Sequence, residues 1–385
     1  MTHKKTIMQT TPEILNQFYN ERNSSTNTRY AYRQTVHVFE EYTHTKIGYI
    51  MYMARLEEEK KTPWRNSTLR THLINFRRYL YSEYSKNSAH MHFSRIKAIL
   101  RHYEIPIGEL PYYSTRQAKP DIPINPDKLV DRDILKLCIN QKNPLLRAIV
   151  LFMSSSGMSK IDTLNLKVKN YMEATYDYHR TNNITNMLYI LKDRDDTVGT
   201  WNDYTRQKTG TTYFTFNSPE SNKAIAQYLL TRRNLKLDDE LFKISYKYMT
   251  DLFKTVNDEL GLGKNGRYSR FQSHMLRRYH ATRLMESGMS VDKVDLLQGR
   301  QPHSIAYKSY IKLKPSRLRD EYIQALPYIV IEDYTKVKTE LEQTKDQLEA
   351  VSSENMILHN NLDSIWNELN NIKERQAIWE DLKRV

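Results

Sequence analysis

A single cysteine, Cys138, stands in 385 residues. One thiol forms no intrachain disulfide and no cysteine metal cluster, so a disulfide-stapled scaffold is excluded and a cytoplasmic place is expected. Cys138 sits among Ile134, Leu135, Leu137 and Ile139, which reads as core packing. Long apolar runs are missing as well. No stretch reaches the roughly 18 residues that would suggest a transmembrane helix. The start, Met1-Thr2-His3-Lys4-Lys5, lacks the apolar core of a secretory signal. Acidic residues are scarce in most of the chain. The whole sequence carries 59 Lys and Arg against 45 Asp and Glu, a net of +14. Residues 331–385 alone carry a net of −5, which leaves +19 on residues 1–330. A body that basic favours a polyanionic partner, most often nucleic acid.

What is present falls into segments. Residues 1–104 read as a helical bundle. Thr11-Pro12-Glu13 is a helix start with proline in the first turn. Ser25-Thr26-Asn27, Asn66-Ser67 and Ser88 open further helical patterns, giving four helices. Basic residues interleave with Tyr and His on their exposed positions, and Arg29, Arg33, Arg77 and Arg78 are the candidates for phosphate contact. A solvated helical face explains them equally well. Residues 105–126 hold Pro106, Pro111, Pro120, Pro123 and Pro126, which reads as an extended linker.

Residues 127–328 form a second domain. Helices are expected over Leu129–Ile139, over Pro144–Ser155 (ended by Gly157) and over Lys160–Leu166. Residues 187–191 and 211–216 have strand composition, with the basic turn Thr205-Arg206-Gln207-Lys208-Thr209-Gly210 between them. Ser218-Pro219-Glu220 starts another helix, and helices follow through Asp320. The fold class expected is mainly α with a small β-sheet. In residues 331–385, Tyr334, Leu341, Leu348, Asn355, Leu362 and Leu369 recur in heptads, with Val337, Thr344, Val351, Leu358, Ile365 and Ile372 three places on. That is the a/d pattern of a coiled coil, with Asn355 as a register selector, and it favours self-association.

The chemistry concentrates in Ser273-His274-Met275-Leu276-Arg277-Arg278-Tyr279-His280-Ala281-Thr282. On a helix His274 and Arg277 share a face. A group that moves protons near neutral pH then lies beside a fixed cation that can fork onto two phosphate oxygens.

This stretch resembles the H-x-L-R box of the tyrosine recombinases, the phage integrase family. Leu296-Leu297-Gln298-Gly299-Arg300 through Tyr307-Lys308-Ser309-Tyr310 resembles the segment that holds that family's third catalytic position and its nucleophilic tyrosine. Arg206-Gln207-Lys208-Thr209-Gly210 is similar to the β-hairpin lysine segment, and Ser155-Ser156-Gly157-Met158-Ser159-Lys160 to the first arginine box. The likeness covers residues 11 to about 326, and the Gln-Gly-Arg form resembles archaeal members.

The resemblance implies a site-specific DNA recombinase or integrase of a mobile element, acting on double-stranded DNA as a tetramer and needing no metal or other cofactor. Tyr310 would attack a phosphodiester and keep the 3′-phosphate, so that no ATP is needed for rejoining. Arg277 would bind the non-bridging oxygens, His274 would aid proton transfer, and Lys208 would protonate the leaving 5′-oxygen. Arg206 and Arg278 would add DNA contacts. Tyr307 is a rival nucleophile three residues before Tyr310. Two positions depart from the family pattern. Ser159-Lys160 stands where the first arginine is usual, so Lys160 supplies charge without the fork, and Arg147 and Arg180 are other candidates for that role. Arg300 stands where a histidine is usual, with His303 nearby. The alternative implied is a catalytically impaired DNA-binding protein of the same fold. An RNA-binding or scaffold protein would explain the charge and the coil but not the ordered boxes.

Overall fold

Thr10 and Glu13 begin the fold with a cap supplied by the glutamate. The Glu13 carboxylate accepts from the Thr10 N–H at 2.7 Å, and that bond holds the carboxyl below its usual range. In this computed structural model the described residues are 9–116, 119–120, 122–206, 210–300, 315–332 and 351–359, with 361–362, 365–366, 369 and 373. They fall into two units, Met1–Pro123 and Ile124–Val385.

The first unit holds α1 (Thr11–Glu21), α2 (Thr26–Thr43), α3 (Ile47–Glu59), α4 (Thr68–Glu83) and α5 (Lys86–His102). The four-helix expectation is corrected to five among the described residues. The helix the sequence hid is α3, because its start signal is tertiary. Lys46 makes no side-chain cap bond, and the Glu40 carboxylate of α2 accepts from the Ile47 N–H at 3.0 Å instead. Ile47, Ile50 and Met51 of α3 enter a core built on Phe18, Phe39, Phe76, Leu80 and Ile96. Each such side chain contributes about 1.5–3 kcal/mol on burial. The proline-rich stretch begins strapped to this bundle. Ile105 is in the core, Trp64 Nε1 donates to Glu109 O at 2.9 Å, and Arg77 donates to Pro111 O at 2.7 Å. Gly108 lies flat on Trp64, where a Cβ would come within 2.5 Å of the indole.

The second unit is organised around one apolar helix. Its helices are α6 (Arg132–Ile139), α7 (Pro144–Ser156), α8 (Lys160–Leu164), α9 (Val168–Ala174), α10 (Tyr176–His179), α11 (Ile184–Leu191), α12 (Pro219–Leu230), α13 (Tyr246–Glu259), α14 (Ser273–Glu286), α15 (Val291–Leu297) and α16 (Pro315–Ile329). Every residue of α7 from Ala148 to Ser156 is buried, so the apolar run is a core helix wrapped by α6, α12 and α14. Asn143 caps its start, its side chain accepting from the Leu146 N–H at 3.0 Å.

A hairpin of β1 (Gly199–Thr205) and β2 (Thr212–Asn217) carries the basic turn, with Tyr204 opposite Tyr213 and Thr205 opposite Thr212. A second two-stranded pair, β3 (Lys264–Asn265) and β4 (Tyr268–Ser269), precedes α14. The expected strand at residues 187–191 is helix α11. Asn183 caps it, accepting from the Asn186 N–H at 3.0 Å, and Met187, Leu188 and Leu191 are buried at helical spacing while Tyr189 and Ile190 face solvent. Composition suggested a strand there; periodicity and the cap decide for a helix. The fold is mainly α with a small β-sheet.

Among the described residues no helix is long and apolar enough to cross a membrane. Residues 351–359 are helical, with Val351 and Leu358 more than half exposed. Most of the heptad register lies outside the described residues.

Candidate functional site

Helix α14 carries the site. His274 lies exposed in its first turn, and Arg277, one turn on, is only 4% exposed. The burial is arranged by two backbone turns. Gly157 ends α7 in the left-handed region (φ 64°) and points its carbonyl at Arg277, which donates from Nη1 at 2.6 Å. The Gln298 carbonyl, at the end of α15, accepts from Arg277 Nη2. Both turns require glycine. A Cβ at Gly157 would lie 2.5 Å from His280 Nδ1, and one at Gly299 would lie 2.7 Å from the Tyr213 ring.

Behind Arg277 sits a polar layer that is fully enclosed. Gln298 Nε2 donates to Arg277 O at 2.9 Å and to His280 Nδ1 at 3.0 Å. The carbonyl needs a donor, which fixes the amide's orientation and makes Nδ1 the acceptor, so neutral His280 carries its proton on Nε2. Burial first, then Arg277 and Arg300, push the His280 pKa down to about 3. His280 Nε2, Arg206 Nε and Tyr213 Oη are buried and have no hydrogen-bond partner. Gln298 Oε1 is an orphan acceptor in the same layer, but the other three are donors beside a buried cation, a balance that favours an anion.

The charges confirm the sign. Burial lowers the Arg277 pKa to about 10, and Arg300 and Arg206 lower it further within that figure, while Tyr213 and Asp162 oppose them. Arg277 therefore stays protonated at neutral pH beside two more guanidiniums. Arg206, at the end of β1, donates from Nη1 to Gly299 O at 3.0 Å. Arg300 lies 3.5 Å from the Asp295 carboxylate. The His274 pKa is lowered by partial burial, then by Arg277, Arg300 and Arg278. The Tyr213 phenol is raised far above its ordinary value by burial, then by Asp162.

The first box is built differently. Ser159 is the N-cap of α8, and its hydroxyl donates to Asp162 Oδ2 at 2.6 Å. Lys160 is held by α13. It bonds to Thr250 Oγ1 on α13 and lies 3.6 Å from the centre of the Tyr246 ring, and burial lowers its pKa. Lys160 and His274 share the wall of a cavity of about 340 Å³. Arg278 lines a separate cavity of about 190 Å³ with Asp127 and Glu286. Arg147 is held by both carboxylate oxygens of Glu332, and Arg180 is the left-handed cap of α10.

The structure thus brings Arg277, His274, Arg206 and Arg300 together and holds Lys160 on Thr250 and the Tyr246 ring, in the wall of the cavity that it shares with His274. Lys208, Tyr310, Tyr307 and His303 lie outside the described residues. In the first unit Arg33 and Arg78 are exposed on α2 and α4. Arg29 Nε donates to Ser24 O at 2.9 Å, and Arg77 is committed to Pro111 O and to the rings of Tyr113 and Phe93. Sequence reasoning assigned no role to Gln298, His280, Tyr213 or Asp162. The available signal was that His280 lies three residues after Arg277 and Gln298 directly before the Gly299 turn.

The phage integrase family model matches residues 130–317, the stretch that contains Gly157, Arg206, His274, Arg277, Gln298 and Arg300. Comparison with curated protein sequences finds no match. Among solved structures, the Tn1549 transposon integrase in complex with a circular intermediate DNA is 12% identical, with 81% of this chain and 98% of that chain covered and a TM-score of 0.48. The XerH site-specific recombinase bound to its difH substrate is 15% identical over 80% of this chain and 82% of that one, with a TM-score of 0.45. The XerA recombinase is 17% identical over 82% and 98%, with a TM-score of 0.32.

Proposed function

Because residues 130–317 belong to the phage integrase family, we propose that this protein is a site-specific DNA recombinase that cuts and rejoins duplex DNA through a covalent 3′-phosphotyrosine. The observation that carries the reading is Arg277, a buried protonated guanidinium pinned by Gly157 O and Gln298 O with Arg206 and Arg300 beside it. Burying a charge costs several kcal/mol, and gathering cations around it costs more, unless a negative ligand is to be bound there.

In the reaction, the Tyr310 phenol oxygen bonds to phosphorus and the bond to the 5′-oxygen breaks. The phenol loses its proton, and the leaving oxygen gains one from Lys208. Arg277 neutralises the non-bridging oxygens as charge gathers in the pentacoordinate transition state. His274 is neutral near pH 7, since partial burial and then the cations beside it hold its pKa below the ordinary value, so it can accept or hold a proton at the reacting phosphate. Arg33 and Arg78 of the first unit and Arg206 and Arg278 of the second would contact backbone phosphates, which makes binding strongly salt-dependent. The exposed heptad residues Val351, Leu358, Leu362 and Ile365 support self-association through the C-terminal helix.

A nicked suicide duplex tests the reading. Wild-type chain should accumulate a covalent protein–DNA adduct that Tyr310→Phe abolishes and Tyr307→Phe preserves. One observation favours a second reading, a DNA-binding protein with an impaired site: Ser159 caps a helix where the family places an arginine. Specific binding of a duplex with no adduct from it would establish that second reading.

A further inference from the structure

We propose that Arg206 is the second guanidinium of the phosphate clamp, reaching from the β-hairpin into the role that Ser159 leaves unfilled on α8. This inference rests on the recombinase reading and names a residue for it.

The case begins with what the obvious substitutes do. The Ser159 hydroxyl is spent on Asp162, and the Lys160 ammonium on Thr250 and the Tyr246 ring. Arg147 is neutralised by Glu332. Ser159 has no charge to bring, Arg147 is paired, and Lys160 keeps its charge but is not among the groups that act on Arg277. Arg206 is among them. Arg277 hangs from the carbonyl of Gln298 and Arg206 from the carbonyl of Gly299, which is the next residue. Two guanidiniums from different elements are thereby tethered to adjacent peptide units. Arg206 Nε is buried without a partner, as is the Tyr213 hydroxyl on the facing strand. The charge of Arg206 acts on both Arg277 and Tyr213, so the three groups share one neighbourhood. Arg206 also follows directly on β1, where the Arg206 N–H donates to Thr211 O at 2.9 Å, so its backbone is fixed by the hairpin. Its orphan donor and fixed anchor suit a side chain that neutralises a phosphate oxygen and transfers no proton.

The test uses the full chain and a duplex recovered by its retention from a random-sequence library, nicked to trap the adduct. Two substrates are compared, one with the native scissile phosphate and one with a neutral methylphosphonate at that position. Arg206→Ala should slow adduct formation on the native duplex by about 100-fold, yet stay within about threefold of wild type on the methylphosphonate, where one charge is already gone. Arg206→Lys should recover only part of the native rate, because it lacks the fork. Cleavage of the methylphosphonate shows that the variant is folded. Native cutting by Arg206→Ala at the wild-type rate overturns the inference, and so does equal loss on both substrates, which would mark a binding or structural role. In either case a wild-type adduct that Tyr310→Phe removes leaves the recombinase reading standing. A wild-type chain that forms no adduct on either substrate removes both.

Discussion

Arg77 in the first unit donates to Pro111 O at 2.7 Å and lies 5.1 Å from the Tyr113 ring and 5.9 Å from that of Phe93. Arg277 in the second donates to Gly157 O and Gln298 O and has Arg300 and Arg206 for neighbours. The backbone treats the two alike, with carbonyls accepting from terminal guanidinium nitrogens. Their surroundings separate them. Aromatic faces attract a guanidinium and offset part of its desolvation, so Arg77 is explained by the packing it produces. Around Arg277 the repulsion of Arg300 and Arg206 comes before the opposing effect of Tyr213 and Asp162, whereas around Arg77 the phenols of Tyr113 and Tyr81 come before Arg78, so packing accounts for Arg277 less well. Where a fold tolerates that repulsion, the compensation is a ligand of opposite charge. Burial already separates them, since Arg77 is only half-buried and Arg277 is 4% exposed, and the sign of the neighbours adds the second distinction.

The contrast breaks most sharply at Arg277. Arg277→Ala should slow adduct formation by about 10²–10³-fold, the range for losing one fixed transition-state donor, while leaving DNA retention and the unfolding midpoint nearly unchanged. Relief of repulsion from Arg206 and Arg300 offsets the two lost carbonyl bonds. A collapse of the fold in this variant, read by urea denaturation, would make Arg277 structural like Arg77 and erase the distinction.

The next effect is on acid stability and belongs to the same cationic surroundings. Burial, then Arg277 and Arg300, hold His280 near pKa 3 in the folded chain, whereas in the unfolded chain it returns to about 6.5. Between those values the unfolded chain binds the extra proton. Stability of the second unit should therefore fall as pH drops below about 6.5, by up to about 1.4 kcal/mol per pH unit from this group. His280→Gln should flatten that limb, as measured by denaturation at a series of pH values. An unchanged slope would mean that His280 is not the group responsible. In the first unit His72 and His92 are also lowered by partial burial, so that unit should show an acid limb of the same sign, which His280→Gln must leave unchanged.

Arg77→Ala is the mirror of Arg277→Ala. It should cost the first unit about 1–3 kcal/mol by leaving Pro111 O without its donor and exposing Phe93, with the cleavage rate at saturating DNA unchanged. A rate loss with intact stability would instead place Arg77 against phosphate.

How much of this could be read in advance depends on the range of the contact that decides each feature. Helices α1, α7 and α12 announce themselves locally, through proline in the first turn and Thr10, Asn143 or Ser218 as caps. Helix α3 does not, because its cap is Glu40 on another helix, and α11 misled because Met-Leu-Tyr-Ile-Leu has strand composition but helical burial. In the site, His274 and Arg277 are legible from a three-residue spacing on one helix. The Arg277–Gly157 bond spans 120 positions and the Arg206–Gly299 bond 93. No local pattern encodes contacts of that range, so Arg206 read as one more basic turn residue. The surroundings of Lys160 were hidden for a reason of the same kind. Its partners, Tyr246 and Thr250, come from a helix more than 80 residues away in sequence.

The smallest effect is a shift in pH dependence, and it bears on whether the cationic neighbourhood acts on His274 as well as on Arg277. Three cations face His274, namely Arg277, Arg300 and Arg278, and together with partial burial they hold its pKa below the ordinary value. The neutral imidazole is the working form in the proposed reaction, so the acid limb of the rate profile should lie below about pH 6.5. Arg300→Gln removes one repelling charge, so the protonated form becomes easier to make and the limb should move up by roughly half a pH unit. Arg278→Gln should move it in the same direction and by less, since Arg278 ranks last among the three causes. The plateau rate can fall independently in Arg300→Gln, through lost phosphate contact, without altering where the limb sits. A limb that stays fixed in both variants, or moves to lower pH, would show that another group titrates there and would confine the cationic neighbourhood to Arg277.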